Sequence, residues 1–438
     1  MSRTVAYISS MFPLPSETFV YREVRGLRRM GWRVPAISLN PTPANLSIDP
    51  DLLADRTILY TPATIGRIIA EKFTHPLRAL KTMFAALGDM IFPGEPMRIG
   101  QRLKIPFQAM AAIGLARLLR REGVSRIHCH FAHAPTTVGM YAAMQLGIPF
   151  SFTGHANDLF QRRALLKKKL QRADFVACIS RWHRDWYQTI WPDNAGKYEV
   201  IRCGVNVDQF HPATAAHFPS PGTPGEGQGG GLPGEDRTDT SKPPPHPSPG
   251  VPEEGEKLRI VTLCRLVEKK GVDTLIRAAA ELRKKMDLEL VIAGNGPDEA
   301  RLRSIAGDVP WIKWLGAVDN SAVPKLFNAS DIFALPCRAD SHGDKDGIPV
   351  VLMEAMACGL PAVSGDLPAI RELIEDGVNG MLVDGNNPTQ LAARLESLAK
   401  DPALRSRLGT KGREHVIEEF AEEPNLRWLE KRFLYGFG

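Results

Sequence analysis

Two carboxylates eight positions apart, Asp346 and Glu354, bracket the segment Asp346-Gly-Ile-Pro-Val-Val-Leu-Met-Glu354-Ala-Met-Ala-Cys-Gly359. Pro349 suits the first position of a helix, where a missing N–H costs nothing, and Gly359 suits the left-handed residue just past the end. Asp346 then falls in the loop before a short helix and Glu354 on its second turn, with the unpaired N–H groups of the first turn offering an anion site between them. A hydroxylated, phosphorylated ligand fits such a place. The alternative is an ordinary buried helix, in which Val350, Val351, Met353 and Met356 face a core and Glu354 is merely a paired carboxylate.

Other residues could serve the same ligand. Arg265 and Lys270 follow the strand pattern Leu258–Leu263 and precede a helix expected over 273–284, a position where cations can meet a diphosphate. Solvated surface charge is their plain alternative. His155 follows a strand pattern at 148–153, and at the carboxyl edge of an open sheet it would reach a cleft; otherwise it is a structural hydrogen-bonder. Ser16, Glu17 and Thr18 follow a first strand (4–10) and a Pro-broken loop, and would face the same edge, unless Ser16 only caps the helix that ends near Gly31. His128, His130 and His133 lie on or beside a strand at 126–131, and alternate residues share a face, but no Cys or carboxylate completes a metal set, so no metal is expected. Gly294-Asn-Gly296 is a lone G-x-G without the rest of a dinucleotide fingerprint.

The segment around Asp346 and Glu354 resembles the E-x7-E region of glycosyltransferase family 4, retaining enzymes of the GT-B fold. Asp346 stands where the family has Glu, and Gly343-Asp-Lys-Asp346 resembles the Asp-bearing version of exopolysaccharide and colanic-acid-type members. Cys264-Arg-Leu-Val-Glu-Lys-Lys270-Gly271 is similar to the family's Gly-Arg-Leu-x-x-x-Lys-Gly stretch with Cys264 in place of Gly, and Thr153-Gly-His155 to its Thr-x-His segment. Ser16-Glu-Thr-Phe-Val20 resembles the opening of exopolysaccharide-type members, Cys203-Gly-Val-Asn206 with Phe210 a closing segment of the first domain, and Glu372 with Asn379-Gly-Met-Leu-Val383 the terminal pattern. The resemblance implies an α/β architecture of two doubly wound Rossmann-like domains facing across a cleft. It implies catalytic roles for His155, Asp346 and Glu354, with Glu354 on ribose hydroxyls and Asp346 on donor-sugar hydroxyls. Arg265, Lys270, Gly347, Ile348 and Pro349 would bind a nucleotide-diphosphate-sugar, while Ser16, Glu17 and Thr18 would border a glycan or lipid-linked acceptor. No metal or cofactor is expected. A nucleotide-sugar epimerase of the same fold and a non-catalytic sugar-nucleotide or membrane-binding protein are the rivals.

The elements that must position these residues follow from the rest of the chain. At 438 residues there is length for two α/β domains, each with its own core, and 43% hydrophobic with 24% charged residues is ordinary for a soluble globular protein. We place the acceptor-side domain at 1–212, a low-complexity insertion expected to be disordered at 213–256, the nucleotide-sugar domain at 257–417 and a helix crossing back to the first domain at 418–438. The insertion is Gly-, Pro- and Ser-rich, nearly repeats Ser220-Pro-Gly-Thr-Pro-Gly-Glu-Gly227 as Ser248-Pro-Gly-Val-Pro-Glu-Glu-Gly255, and as a flexible coil would span roughly 35 Å. The helical tail, from about 414 to 435, should break at Pro424.

Residues 65–121 read as helical and basic, with Arg67, Lys72, Arg78, Lys81, Arg98, Arg102 and Lys104 among the cations and Ile68, Ile69, Phe73, Leu77, Leu80, Met83 and Phe84 at helical spacing. Either the apolar stripe is core and the charge is solvated, or the region meets an anionic membrane. A second basic cluster runs from Arg162 to Arg172, and neither cluster carries a nucleic-acid motif. No run approaches the roughly 18 apolar residues that span a bilayer, Met1-Ser-Arg-Thr leads into a strand rather than a signal peptide, and six scattered cysteines suit reduced thiols. The net charge of +6 is modest for this length. We expect a cytoplasmic protein, with peripheral attachment to the inner face of the membrane left open.

Overall fold

The computed structural model describes residues 3–14, 17–43, 51, 53, 56–155, 164–213 and 257–436. Short runs of Val, Ile, Leu and Phe, apolar on both faces, make strands that parallel sheets bury between helices. The first sheet comprises β1 (Val5–Met11), β2 (Ala36–Asn40), β3 (Arg56–Ile58), β4 (Arg126–His130), β5 (Phe150–Gly154), β6 (Val176–Cys178) and β7 (Tyr198–Val200), in the order β3-β2-β1-β4-β5-β6-β7. The second comprises β8 (Leu258–Leu263), β9 (Leu288–Ala293), β10 (Ile312–Gly316), β11 (Ile332–Leu335), β12 (Ala362–Gly365) and β13 (Met381–Val383), in the order β10-β9-β8-β11-β12-β13. Every neighbouring pair is parallel. Each sheet reverses its winding beside its first strand, between β1 and β4 and between β8 and β11, so each opens a crevice at the carboxyl ends there. These are two doubly wound domains, as the resemblance implies.

Strand periodicity divides the first core. In β1, Ala6 and Ile8 join one cluster with Ile127, Cys129 and Phe152, whereas Val5 and Tyr7 join another on the opposite face. That opposite face is covered by α1 (Thr18–Arg29), through Val20, Val24 and Leu27.

Between β3 and β4 stand α2 (Ala63–Thr74), α3 (Pro76–Ile91) and α4 (Ile99–Arg121), and the first two are amphipathic the wrong way round for a solvated layer. Their inward positions include Glu71, Thr82 and Asp89, while Phe73 is 83% and Leu77 81% exposed. The buried carboxylates are paired: Glu71 Oε1 accepts from Arg120 at 2.9 Å and Gln145 at 3.2 Å, and Asp89 accepts from Arg172 at 2.6 Å and from the Tyr141 hydroxyl at 2.8 Å. Ile69, Leu80 and Phe84 are also exposed, and Ile68 and Met83 are half-buried. The apolar stripe is therefore not core. Among the described residues, 12 of the 18 exposed large apolar side chains lie between Ile65 and Phe107.

In the second domain α5 (Val350–Ala357) follows the loop after β11. The tail comprises the helix Pro402–Phe420 and then α6 (Glu422–Tyr435), which buries Leu426, Leu429 and Phe433 in the α1 cluster and so lies on the first domain. The break is at Ala421, extended at φ −62° and ψ 143° and bridged to Val205, three residues before Pro424. Pro424 sits in the first turn of α6, where its missing N–H has no intrahelical partner to lose. Val205 and Phe210 pack into the second core, so the chain has left the first domain before residue 212. Apart from Ala213, the low-complexity insertion lies outside the described residues.

Candidate active site

One wall of the cleft is built on the second sheet. Beyond β8 the Cys264-Arg265-Leu266 turn packs on Gly294-Asn295-Gly296, with Leu266 N–H donating to the Asn295 carbonyl at 2.8 Å. Gly294 has φ +109°, and a Cβ there would lie 1.8 Å from the Cys264 carbonyl oxygen. The G-x-G thus shapes the loop that carries Arg265, an exposed side chain. The one-turn helix Glu268–Lys270 ends at left-handed Gly271, where a Cβ would lie 2.1 Å from the Pro336 carbonyl oxygen. This close approach brings Lys270 against the loop after β11.

There Lys270 Nζ meets Asp346 Oδ2 at 2.8 Å, and Lys269 Nζ lies 3.3 Å from Asp346 and 2.9 Å from Asp344. The Cys337 thiol also donates to Asp346, at 3.4 Å. Burial pushes the Asp346 carboxyl up, but Lys270 and Lys269 outweigh it and hold the group below the ordinary carboxylate value. Burial pulls Lys270 down, and Asp346 more than reverses that. Both members of the pair are charged at neutral pH.

Pro349 is the cap residue of α5 rather than its first helical residue, and Gly359, at φ +76°, is left-handed just beyond Cys358. Gly347, Ile348 and Pro349 are buried beneath the loop. Glu354 is nearly buried, and its Oε1 takes Arg22 Nη2 at 2.6 Å, an ion pair from α1 of the first domain. The two carboxylates therefore have separate cations, one within the domain and one across the cleft.

The facing wall belongs to the first domain. His155, at the end of β5, is buried between the rings of Phe19 at 4.5 Å and Phe131 at 4.6 Å, with Nε2 3.3 Å from His130 Nδ1. Burial, and then the neighbouring His130, His183 and His133, hold its pKa well below the usual imidazole value, so the ring is neutral. His130 Nε2 lies 3.1 Å from Glu23 Oε2, which also accepts the Tyr7 hydroxyl at 3.0 Å. Phe19, Arg22 and Glu23 share one face of α1 at helical spacing. One helix thus supplies the ring on His155, the cation on Glu354 and the carboxylate on His130. Glu17 is the cap residue of this helix and Thr18 its first member, both half-buried; Ser16 lies outside the described residues.

Glu23 corrects the expectation that no carboxylate completes the histidine pair, because a helix remote in sequence carries it to the strand. Glu23, His128 and His130 each offer one ligand atom within 4.8 Å of the others. Their nitrogens and the shared carboxylate oxygen are already engaged: His128 with Ser151 at 2.9 Å and Thr153 at 3.0 Å, His130 with Glu23 and His155. The donor set is a closed hydrogen-bond network. His133 stands apart, stacked on Phe131 at 5.6 Å. Sequence reasoning missed Arg22, Glu23 and Lys269; the i, i+3, i+4 spacing from Phe19 was a usable signal for the first two.

The glycosyltransferase family 4 model matches residues 16–209, and the glycosyl transferases group 1 model residues 248–415. WcaL of Escherichia coli K12, provisionally named a colanic acid biosynthesis glycosyltransferase, is 33% identical across 97% of this chain and 98% of its own length. The chain belongs to glycosyltransferase family 4. Two further relatives of this family 4 chain match over shorter spans. A GDP-mannose-dependent alpha-(1-6)-phosphatidylinositol monomannoside mannosyltransferase of Mycolicibacterium smegmatis is 32% identical over 59% of this chain, which spans 61% of that relative's length. The amylovoran biosynthesis glycosyltransferase AmsK of Erwinia amylovora is 36% identical over 40% of this chain and 44% of its own. Among solved structures, Anabaena Alr3699/HepE in complex with UDP and glucose superposes with a TM-score of 0.67 at 14% identity, over 99% of this chain and 100% of that one. Sucrose-phosphate synthase of Thermosynechococcus elongatus gives 0.67 at 16% identity, over 98% of each chain. The fold is GT-B.

Proposed function

We propose that this family 4 member is a retaining glycosyltransferase that moves a sugar from a nucleotide-diphosphate-sugar to a glycan or lipid-linked acceptor in exopolysaccharide or cell-surface polysaccharide synthesis. The observation that carries this reading is the Arg22–Glu354 pair at 2.6 Å, which sets the helix packed on His155 against the helix bearing Glu354. A neutral imidazole wall and an ionic wall then bound one cleft. The diphosphate lies against Arg265 and Lys270; an ammonium has three donors, so Lys270 can keep Asp346 and still neutralise charge on the leaving group. Glu354 keeps Arg22 on Oε1 and offers its other oxygen to ribose hydroxyls. Asp346 and His155 take hydroxyls of the transferred sugar, and Glu17 and Thr18 border the acceptor. The cations at the phosphates do what a divalent metal does elsewhere, so transfer should survive a chelator.

The work takes place at the inner face of an anionic membrane. Supporting this are the outward apolar rings and chains of α2, α3 and α4, interleaved with exposed Lys72, Arg78, Lys81, Arg98 and Lys104. No helix among the described residues is long and apolar enough to cross a membrane. The phosphatidylinositol mannoside named for one relative fits a lipid-linked acceptor.

The deciding assay measures nucleotide-sugar turnover with and without a lipid-linked acceptor. Acceptor-dependent transfer supports the proposal, conversion of the donor alone would make the chain an epimerase, and no turnover with retained binding would make it a non-catalytic binder. For the membrane, flotation with phosphatidylglycerol-containing vesicles should recover the protein. Equal recovery with neutral vesicles would remove the anionic requirement.

A further inference from the structure

We propose that Lys169 is a positioning residue: its buried ammonium holds two strained turns at the carboxyl edge of the first sheet and so keeps the Phe131 ring on His155. The inference rests on His155 lying in the substrate cleft, as proposed above, and deepens that reading by naming what fixes the wall beside it.

Backbone strain in this chain is concentrated. Among the described residues, three other than glycine have positive φ: Phe131 at +71°, Leu165 at +54° and Asn194 at +56°. Asparagine tolerates that conformation, whereas a bulky apolar residue seldom adopts it. Such strain persists only where surrounding contacts over-determine it. Phe131 and Leu165 are far apart in sequence, yet carbonyls beside both meet one group. Lys169 Nζ donates to the carbonyls of Ala132 at 2.6 Å and His133 at 2.9 Å, just past Phe131, and to that of Ala164 at 2.6 Å, just before Leu165.

Lysine is rarely buried outright, yet Lys169, in the middle of the helix Leu166–Arg172, is fully buried. An ammonium serves several acceptors at once, and its charge makes each bond stronger than one from a neutral donor. Further contacts complete the hold on Phe131: its N–H donates to the Thr153 carbonyl at 3.0 Å, and its carbonyl accepts from the Thr136 hydroxyl at 2.7 Å. From this conformation the Phe131 ring lies 4.6 Å from that of His155 and 5.6 Å from that of His133. With the turn released, Phe131 would relax towards negative φ and carry its ring off His155. A small displacement of a group in a reacting cleft is felt in turnover more than in donor affinity.

The test reads the His155 ring in the full chain, by carbon–proton correlation on histidine-labelled protein, with its signals assigned through His155→Asn. Phe131→Gly suits the left-handed turn but removes the ring, and should displace the His155 signals. Lys169→Met should move them most of the way to the same place, and lower kcat about tenfold with donor KM changed less than about twofold. Adding Lys169→Met to Phe131→Gly should then change the signals and kcat little further. Equal changes in both backgrounds would mean that Lys169 acts otherwise than through Phe131, and would overturn the proposal. His155 signals unmoved by Lys169→Met overturn it too, as does full kcat in a variant whose signals have moved. Should Lys169→Met not fold, Lys169→Gln, whose amide can still donate to two of the three carbonyls, takes its place with a smaller displacement expected. Failure of both to fold would make the lysine a support of the whole domain and also overturn the proposal. Because the spectra need no turnover, the expected displacement in a protein that transfers no sugar would uphold this inference and sink the functional reading.

Discussion

The helix Val272–Arg283 of the second domain turns its apolar stripe inward: Leu275, Ile276 and Leu282 are buried and Arg277 is exposed. In α2 and α3 of the first domain, Glu71 and Asp89 are buried and Phe73 and Leu77 are exposed. Six strands of the first sheet follow the order of the six in the second, so the shared topology does not require the difference. A hydrophobic period identifies a stripe, and only packing tells which way it faces. The cleft walls differ in a parallel manner. The second domain presents compensated charge in Lys270 with Asp346, and the first presents buried imidazole rings tied through Glu23.

The ionic wall should be the easier to break. Lys270→Ala leaves Asp346 buried beside Lys269 alone and should cost about 3 to 5 kcal/mol of stability, with transfer lowered at least about tenfold. Lys270→Met with Asp346→Leu should recover most of the stability and none of the activity. Urea unfolding and initial rates on the two variants check this; recovery of transfer in the double variant would remove the pair from the site.

Contact between the domains comes next. Glu372 accepts from the N–H groups of Arg181 and Trp182, each at 2.8 Å, capping a helix of the first domain, and pairs with buried Arg202 at 3.0 Å. Glu372→Ala should cost about 2 to 3 kcal/mol, since the carboxylate left to Arg202 is Glu419, at 3.5 Å. Thermal unfolding measures it, and a loss under about 0.5 kcal/mol, the range of an unremarkable surface change, would show that the brace is idle.

The inverted helices are tested at their outward face. Phe73→Glu, Leu77→Glu and Phe84→Glu together should weaken partition onto anionic vesicles by at least about tenfold, roughly 1.4 kcal/mol, with little change in melting temperature. A fall in melting temperature of many degrees would mean that the face is covered within the protein.

The imidazole wall has a pH signature. Burial lowers the pKa of His183 to about 3, whereas the unfolded chain has an imidazole near about 6.5. Below the unfolded value the unfolded state takes up a proton that the folded state refuses, so stability falls as pH drops from about 6.5 towards 3, by about 1.4 kcal/mol per pH unit for this group. His128 and His155 shift in the same direction, again chiefly through burial. His183→Asn should flatten the urea-derived slope between pH 6.5 and 5 by nearly one proton, and an unchanged slope would show that His183 is already charged when folded.

The fold was legible because its strands are short apolar runs followed by chemically distinctive turns. Leu258–Leu263 was read to the residue. The site was legible where the motif is contiguous: Gly359 is left-handed as its place after the helix requires. Contacts made across the fold could not be read. Nothing local to Glu23 says that it meets a histidine 107 residues away, nor to Arg22 that it closes on Glu354. The tail was misjudged at Pro424 because proline announces a break anywhere except in a first turn, and the first turn is set by the bridge at Ala421.

That bridge has a further consequence. The backbone crosses between the domains at Val205 and again at Ala421, and the crossings are stitched together: Val205 N–H to the Phe420 carbonyl and Glu422 N–H to the Val205 carbonyl, both 2.9 Å. A Cβ on Gly204 would lie 2.4 Å from the Glu422 Cα, so the two strands touch without a side chain between them. Two strands fastened at one point behave like the pin of a knuckle joint, which passes torque and resists sliding. We expect any widening of the cleft to swing about this pin. Past it, Phe210 is seated in the second core, and Asn328 holds the His211 carbonyl at 3.0 Å and the Ala213 N–H at 3.2 Å. Residues from 214 onward begin after the chain has already been moored, so their number can lengthen or shorten without altering the swing.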